Sequence, residues 1–130
     1  MTVIRRGTVL LLDLDPTRGH EQQGLRPCIA VSDPEVAAEQ RFPLLAVVPL
    51  TRTPGVGALY PQLGPGDSGL TSESYALVDH LRSVDKRRVR RAYGQIAEEE
   101  LARVDEGLTM FLGLGSTPAE DPLASARGAR

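Results

Sequence analysis

Four side chains able to bind anions or exchange protons, Arg18, His20, Glu21 and Arg26, crowd into the stretch Asp15 to Pro27. Pro16, Gly19, Gly24 and Pro27 punctuate the same stretch, so it reads as a working loop hung between two apolar runs. Further along, Thr51, Arg52, Asp79, His80 and Arg82 also fall at the ends of expected strands or in loops beside them. Arginine offers a planar fork that matches a phosphate, threonine adds a hydroxyl donor, and a carboxylate or imidazole can move a proton. Taken singly, each is a surface ion-pair, turn or strand-end residue. Taken together, they suit phosphodiester chemistry on RNA. There the 2′-hydroxyl is an internal nucleophile, and an enzyme needs a base to deprotonate it, cations and hydroxyls for the phosphorane charge, and an acid for the leaving oxygen. No metal or cofactor is called for by such a set.

The elements that must hold these residues are short strands. Val9 to Leu14 and Cys28 to Val31 are nearly unbroken apolar runs, the pattern of buried strands. Ser32-Asp33-Pro34-Glu35 opens a short helix through Val36 to Gln40. Leu44 to Val48 reads as a third strand that ends at Pro49, which leaves Thr51 and Arg52 at its mouth. Ala58 to Leu63 reads as an edge strand and Ser74 to Val78 as a fifth, which Asp79 to Val84 continues or bends. Asp85 is placed to cap a turn through Arg88, before a last strand around Val89 to Tyr93.

One convincing helix follows, Glu98 to Leu112. Leu101, Val104, Leu108, Phe111 and Leu112 share a face, three glutamates occupy the first turn, and Gly113 and Gly115 supply stop signals. Gly107 inside it costs about 1 kcal/mol relative to alanine. Together these elements predict a β-rich α+β domain over residues 1–115, a small half-open β-barrel with a short helix and a C-terminal amphipathic helix. Residues 116–130, poor in large apolar side chains, read as a disordered tail. Repeats, nucleotide-binding loops and nucleophile elbows are absent. Gly64, Gly66 and Gly69 match a phosphate loop only in composition, because no helix follows them.

Composition narrows the function classes. The net charge of −2 argues against a uniformly nucleic-acid-coated surface, but the average hides an asymmetry. Arg82 to Arg91 holds six cations against the lone anion Asp85, whereas Glu98 to Glu106 is acidic. Fourteen of the fifteen cations are arginine, so a solvated arginine-rich face is the plain alternative to a polyanion site. The single cysteine, Cys28, lies in a buried strand and reads as an inert core residue. Tyr60, Tyr75 and Tyr93 are assigned to packing rather than to base stacking. The apolar run before Asp13 is too short for a membrane span or a signal-peptide core, so a cytoplasmic protein is expected.

Beyond these readings, Gly7 to Pro27, GTVLLLDLDPTRGHEQQGLRP, resembles the opening of the MazF/PemK toxins, with their D-P-x-x-G-x-E-Q-x-G-x-R-P loop between two strands. The likeness continues in Val48-Pro49-Leu50-Thr51, in Gly69-Leu70 followed by Ser74, in Asp79 to Asp85 with Arg88, and in Gly94-Gln95-Ile96. It covers Arg6 to about Leu114. The resemblance implies an SH3-like barrel that forms a homodimer, cleaves single-stranded RNA at short sequences without a metal, and is silenced by a small acidic antitoxin. It implies Arg26 as catalytic arginine and Thr51 as catalytic threonine. Glu21 is the third catalytic candidate, as base, substrate contact or orienter of Arg26. Arg18, His20, Gln22, Arg52, His80, Arg82 and Arg87 are the expected RNA contacts. His20 and His80 depart from the family pattern, where a small polar residue and a glutamine are common. Two other classes stand beside this one: a non-enzymatic topoisomerase inhibitor on the same barrel, like the CcdB toxins, and an RNA-binding module without cleavage.

Overall fold

The structure is a computed structural model that describes residues 3–14, 19 and 24–115. Arg18, His20, Glu21 and Gln22, and the expected tail 116–130, lie outside the described residues. Among the described residues, strands β1 (Thr8–Asp13), β2 (Leu25–Ala30), β3 (Leu44–Thr51), β4 (Gln62–Leu63), β5 (Ser74–Ala76), β6 (Arg82–Asp85) and β7 (Val89–Gln95) form a 7-stranded sheet. The order is β4-β5-β3-β2-β1-β7, with β6 also paired to β3. Every pairing is antiparallel. The β1–β7 ladder carries two register shifts, and such irregularities bend a sheet into the expected curled half-barrel.

The unbroken apolar runs have a direct cause, since β1, β2 and β3 are covered on both faces. Val9, Ile29 and Val48, cross-strand partners in register, enter one core together with Leu50, Val78, Val104 and Leu108. Leu10, Leu12, Cys28, Ala30, Leu45 and Val47 enter a second core on the opposite face. Burial of Cys28 pushes its thiol pKa up to about 12, so the thiolate is suppressed at neutral pH, in line with an inert core residue.

Four expectations change in detail. The second strand begins at Leu25 rather than Cys28, so Arg26 and Pro27 belong to β2 and not to the expected loop. The third strand does not stop at Pro49 but runs on to Thr51. Along its first half β3 pairs with β6, and at its end it pairs with β5. Pro49 sits at the changeover, where its missing N–H is least costly, and its carbonyl accepts a hydrogen bond from Leu77 N at 2.8 Å. The edge strand expected over Ala58 to Leu63 shrinks to Gln62–Leu63, because Tyr60 N turns back to Gly57 O at 3.1 Å. The fifth strand ends at Ala76, and a 3₁₀ turn, Val78–His80, separates it from β6.

Helix α1 (Pro34–Ala38) is capped by Asp33, which accepts from Glu35 N at 2.8 Å. Helix α2 (Glu98–Leu112) has the expected bounds. Glu100 ties its start down twice, accepting from Ala97 N at 2.9 Å and from Gly64 N at 2.7 Å. Gly113, at φ 68, ends it in the left-handed region. Arg6 grips Asp105 of α2 with a two-pronged ion pair at 2.8 and 2.6 Å, and its Nε donates to Val31 O at 3.0 Å. None of the helices described is long and apolar enough to cross a membrane.

Gly107 has a packing role that its helix propensity conceals. A Cβ there would lie 2.8 Å from the Ala58 carbonyl oxygen and 3.2 Å from Val78 Cγ2. Gly107→Ala is therefore expected to destabilise the fold, with overpacking of about 1–3 kcal/mol outweighing a helix-propensity gain of about 1 kcal/mol. Chemical denaturation checks this, and a stabilised variant would show that the helix does not need the close approach.

Candidate active site

On the open side of the half-barrel lies a cavity of about 720 Å³. Its floor is apolar, made by Val9 and Leu11 of β1, Pro27 of β2 and Leu50 of β3. Arg26, Thr51, Arg52 and Thr53 contribute to the wall, and Gly69, Leu70, Thr71, Ser72 and Ser74 line the cavity with Tyr93. No described lining residue is acidic. Cationic and hydroxyl groups over an apolar floor make a site suited to a polyanion with flat apolar parts, as a nucleic acid strand is.

The register explains why Arg26 and Thr51, far apart in sequence, share this wall. The β2–β3 ladder pairs Ala30 with Val47, Ile29 with Val48 and Cys28 with Pro49. Continued past Cys28 to the strand ends, the same register sets Arg26 across from Thr51. Thr51 is also held from its other side, where it pairs with Tyr75 of β5. Its hydroxyl oxygen accepts a hydrogen bond from Thr53 N at 3.1 Å. With a lone pair engaged by the backbone, the hydroxyl proton is left to donate elsewhere. Arg26 is exposed at the start of β2.

Of the described candidates, Arg52 joins Arg26 and Thr51 on the wall, whereas His80, Arg82 and Arg87 are not among the lining residues. His80 ends the 3₁₀ turn that packs against α2; its Nε2 is 3.9 Å from Asp79 Oδ1. His80 Nδ1 and Asp79 Oδ1 are buried with no hydrogen-bond partner among the described residues. The other Asp79 oxygen accepts from the Tyr60 hydroxyl at 2.7 Å, and this bond holds the Tyr60 proton and raises its pKa. Arg82 pairs with Val47 across the β3–β6 ladder and is close enough to Cys28 to favour its thiolate slightly against the effect of burial. Arg87 grips Asp85 through two contacts of 3.0 Å. Among the described residues no three His, Cys, Asp or Glu side chains come together as metal ligands.

Thr71, Ser72, Ser74 and Tyr93 line the cavity without having been singled out as site residues. Only Tyr93 is marked by its type, as a ring able to stack a base, and the sequence assigns it to packing; Thr71, Ser72 and Ser74 carry no such mark. The sequence signal they share is position, in or beside the Gly69-Leu70…Ser74 and Gly94-Gln95-Ile96 pieces of the toxin-like pattern.

Fold and cavity together define a small curled β-barrel protein with a C-terminal helix and an open cavity lined by arginines and hydroxyls. The sequence pattern of PemK-like, MazF-like toxins of type II toxin–antitoxin systems matches residues 5–112. Endoribonuclease MazF9 of Mycobacterium tuberculosis is 32% identical over 120 residues, covering 88% of this chain and 100% of that relative. The crystal structure of MazF from Deinococcus radiodurans matches with a TM-score of 0.71 at 30% identity, over 88% of this chain and 100% of that one. A MazE–MazF structure from the same organism matches at 0.70 and 28%, over 88% and 100% of the two chains. The chain belongs to the PemK-like, MazF-like toxin family of type II toxin–antitoxin systems.

Asp85 provides a test of the ion pair that occupies Arg87. Hydrogen bonds from the Arg87 side chain and then its backbone lower the Asp85 pKa from 3.8 to about 2. A carboxylate depressed in this direction stabilises the fold above its unfolded pKa, and the benefit is lost as pH falls through the folded value. The stability difference between wild type and Asp85→Asn is therefore expected to be constant near neutrality and to vanish as pH falls from 3.8 to about 2. Thermal melts across that range read it; a difference that persists below the window would place the contribution elsewhere.

Proposed function

We propose that this toxin is a sequence-selective endoribonuclease that cuts single-stranded RNA by attack of a 2′-hydroxyl on the adjacent phosphorus. The observation that carries the reading is the convergence of Arg26 and Thr51 on one wall of an open cavity whose described lining holds no carboxylate. The 2′-oxygen forms a bond to phosphorus and its proton passes to a base. The bond from phosphorus to the 5′-oxygen breaks, and that oxygen takes a proton. The products are a 2′,3′-cyclic phosphate, or the 3′-phosphate from its hydrolysis, and a 5′-hydroxyl. Both the nucleophile and the leaving group belong to the RNA, so the protein positions the strand and stabilises charge, and the reaction runs without a metal.

In this reading Arg26 lays its guanidinium against the non-bridging oxygens, where negative charge grows at the pentacovalent stage. Thr51 donates its hydroxyl proton to one of those oxygens, an orientation supported by the hydrogen bond it accepts from Thr53 N. Arg52, beside Thr51 on the wall, meets a neighbouring phosphate. Glu21, from the loop before β2, is the candidate base or orienter of Arg26. The enzyme acts in the cytoplasm as a homodimer and is silenced by a small acidic antitoxin. The MazE–MazF complex among the similar structures supports an antitoxin partner for this chain. An acidic segment lying over Arg26 and Arg52 would exclude RNA by occupying the same cations.

Incubation with a long mixed-sequence RNA in excess chelator tests the proposal. Wild type is expected to give fragments with 5′-hydroxyl ends at a recurring short sequence. Arg26→Ala is expected to be slower by about 10²–10³-fold, the effect of removing a transition-state charge donor. Thr51→Val should lose about 10–10²-fold, the scale of one hydrogen bond to a charged oxygen. A folded preparation that leaves the RNA intact, or one that yields 5′-phosphate ends, would overturn the reading.

A further inference from the structure

The arginine run from Arg82 to Arg91 is not a uniform basic face, and its members differ in what they touch. Lys86 donates to the carbonyls of Val36 and Glu39 at 2.9 and 3.0 Å, Arg88 to the Asp13 carbonyl at 3.0 Å, and Arg90 reaches Asp13 Oδ2 at 3.4 Å. With Arg87 on Asp85, most of the run is spent on structure. Arg91 is different. It is exposed, and its guanidinium carbon lies 5.0 Å from the ring centroid of Tyr93.

Two independent observations set that pair beside the cavity. Tyr93 itself lines it. Arg91 is the cross-strand partner of Leu11, which forms part of the floor, and directly opposed residues in an antiparallel ladder leave the sheet on the same side. Tyr93 is also held in place. Gly69, at φ 91, packs so closely on it that an added Cβ would be 2.9 Å from Tyr93 Cβ, so Gly69 rests against this side chain. Arg91 pairs with Leu11 of β1, and Leu11 pairs in turn with Pro27, the neighbour of Arg26 on β2, so β1 alone separates Arg91 from the start of β2.

We infer that Arg91 and Tyr93 form a second nucleotide subsite at the β7 end of the cavity, which stacks an unpaired base next to the scissile position and pairs its phosphate. The inference rests on the ribonuclease reading for the identity of the ligand. A guanidinium held flat over a phenol ring presents a planar cationic surface, and its N–H edges stay available for a phosphate. A base stacked there belongs to a neighbour of the cleaved nucleotide. The subsite therefore adds affinity to longer RNA and extends the sequence read by the enzyme toward β7.

Arg91→Ala and Arg91→Lys, both at an exposed position, test it with two substrates: the shortest oligoribonucleotide wild type cleaves and a longer one extended on either side. Wild type is expected to prefer the longer strand. Arg91→Ala should raise KM for it by about tenfold, the scale of one lost stacking contact, and shrink the preference for length, with kcat little altered. Arg91→Lys, which keeps the charge and loses the plane, should fail to restore it, whereas Tyr93→Phe, which keeps the ring, should retain it. Binding of a longer strand made uncleavable by a 2′-deoxy substitution is measured in parallel, so that weak binding by Arg91→Ala is seen even if no RNA is cut. If neither KM nor this binding changes, or both substrates lose equally, there is no separate subsite. Full rescue by lysine would reduce it to a point charge and overturn the stacking. Loss of binding to an acidic antitoxin peptide with RNA affinity intact would assign the pair to the protein partner instead.

Discussion

Burial of the central strands on both faces is the constraint from which the rest of the structure follows. β1, β2 and β3 each send alternate side chains into two cores, Val9, Ile29 and Val48 on one side and Leu10, Cys28 and Val47 on the other. A strand covered on both faces cannot slip by one residue without exchanging its entire set of side chains between cores. The register between β2 and β3 is therefore rigidly held. Rigid register is what brings Arg26 and Thr51 to the same place, since they lie just past the last paired residues of that ladder.

The elements around these strands are attached by polar ties at the points where packing alone would leave freedom. Arg6 binds Asp105 and the Val31 carbonyl, fixing α2 to the strand ends. Glu100 joins the start of α2 to the loop at Gly64. The Tyr60 hydroxyl on Asp79 holds the segment after β3 against the 3₁₀ turn. That segment begins with Arg52 and Thr53, so its anchoring keeps part of the cavity wall in position. Gly107 permits the close approach of α2 to Ala58 on the same side.

The cavity differs from the charged surface around it in the residue types of its described lining. Around the arginine run, carboxylates and carbonyls engage Arg87, Arg88, Arg90 and Lys86. At the cavity the described wall has arginines and hydroxyls with no acidic residue, and the Thr51 hydroxyl accepts from its own turn, which leaves its proton able to donate. Charge density alone would have pointed to the run between Arg82 and Arg91. Donors over an apolar floor occur instead in the cavity lined by Arg26, Thr51 and Arg52.

By itself the sequence determined the β-rich class, the bounds of α2, the capped turns at Asp33 and Asp85, and the buried state of Cys28, because each depends on local patterning or on a side chain reaching its own neighbours. It also carried the family motif that singles out Arg26 and Thr51. Tertiary structure decided the rest. Pro49 stays inside β3 only because that strand changes partners there, from β6 to β5. His80, Arg82 and Arg87, chosen by chemical type, lie away from the cavity, since a 3₁₀ turn and the β3–β6 register direct them elsewhere. Thr71 carries no local mark of function, and the ring of Tyr93 reads locally as packing. They line the site because β7 closes beside β1 and a glycine allows the Gly69 loop to settle on the tyrosine ring, contacts between residues too distant in sequence for any window of local pattern to contain.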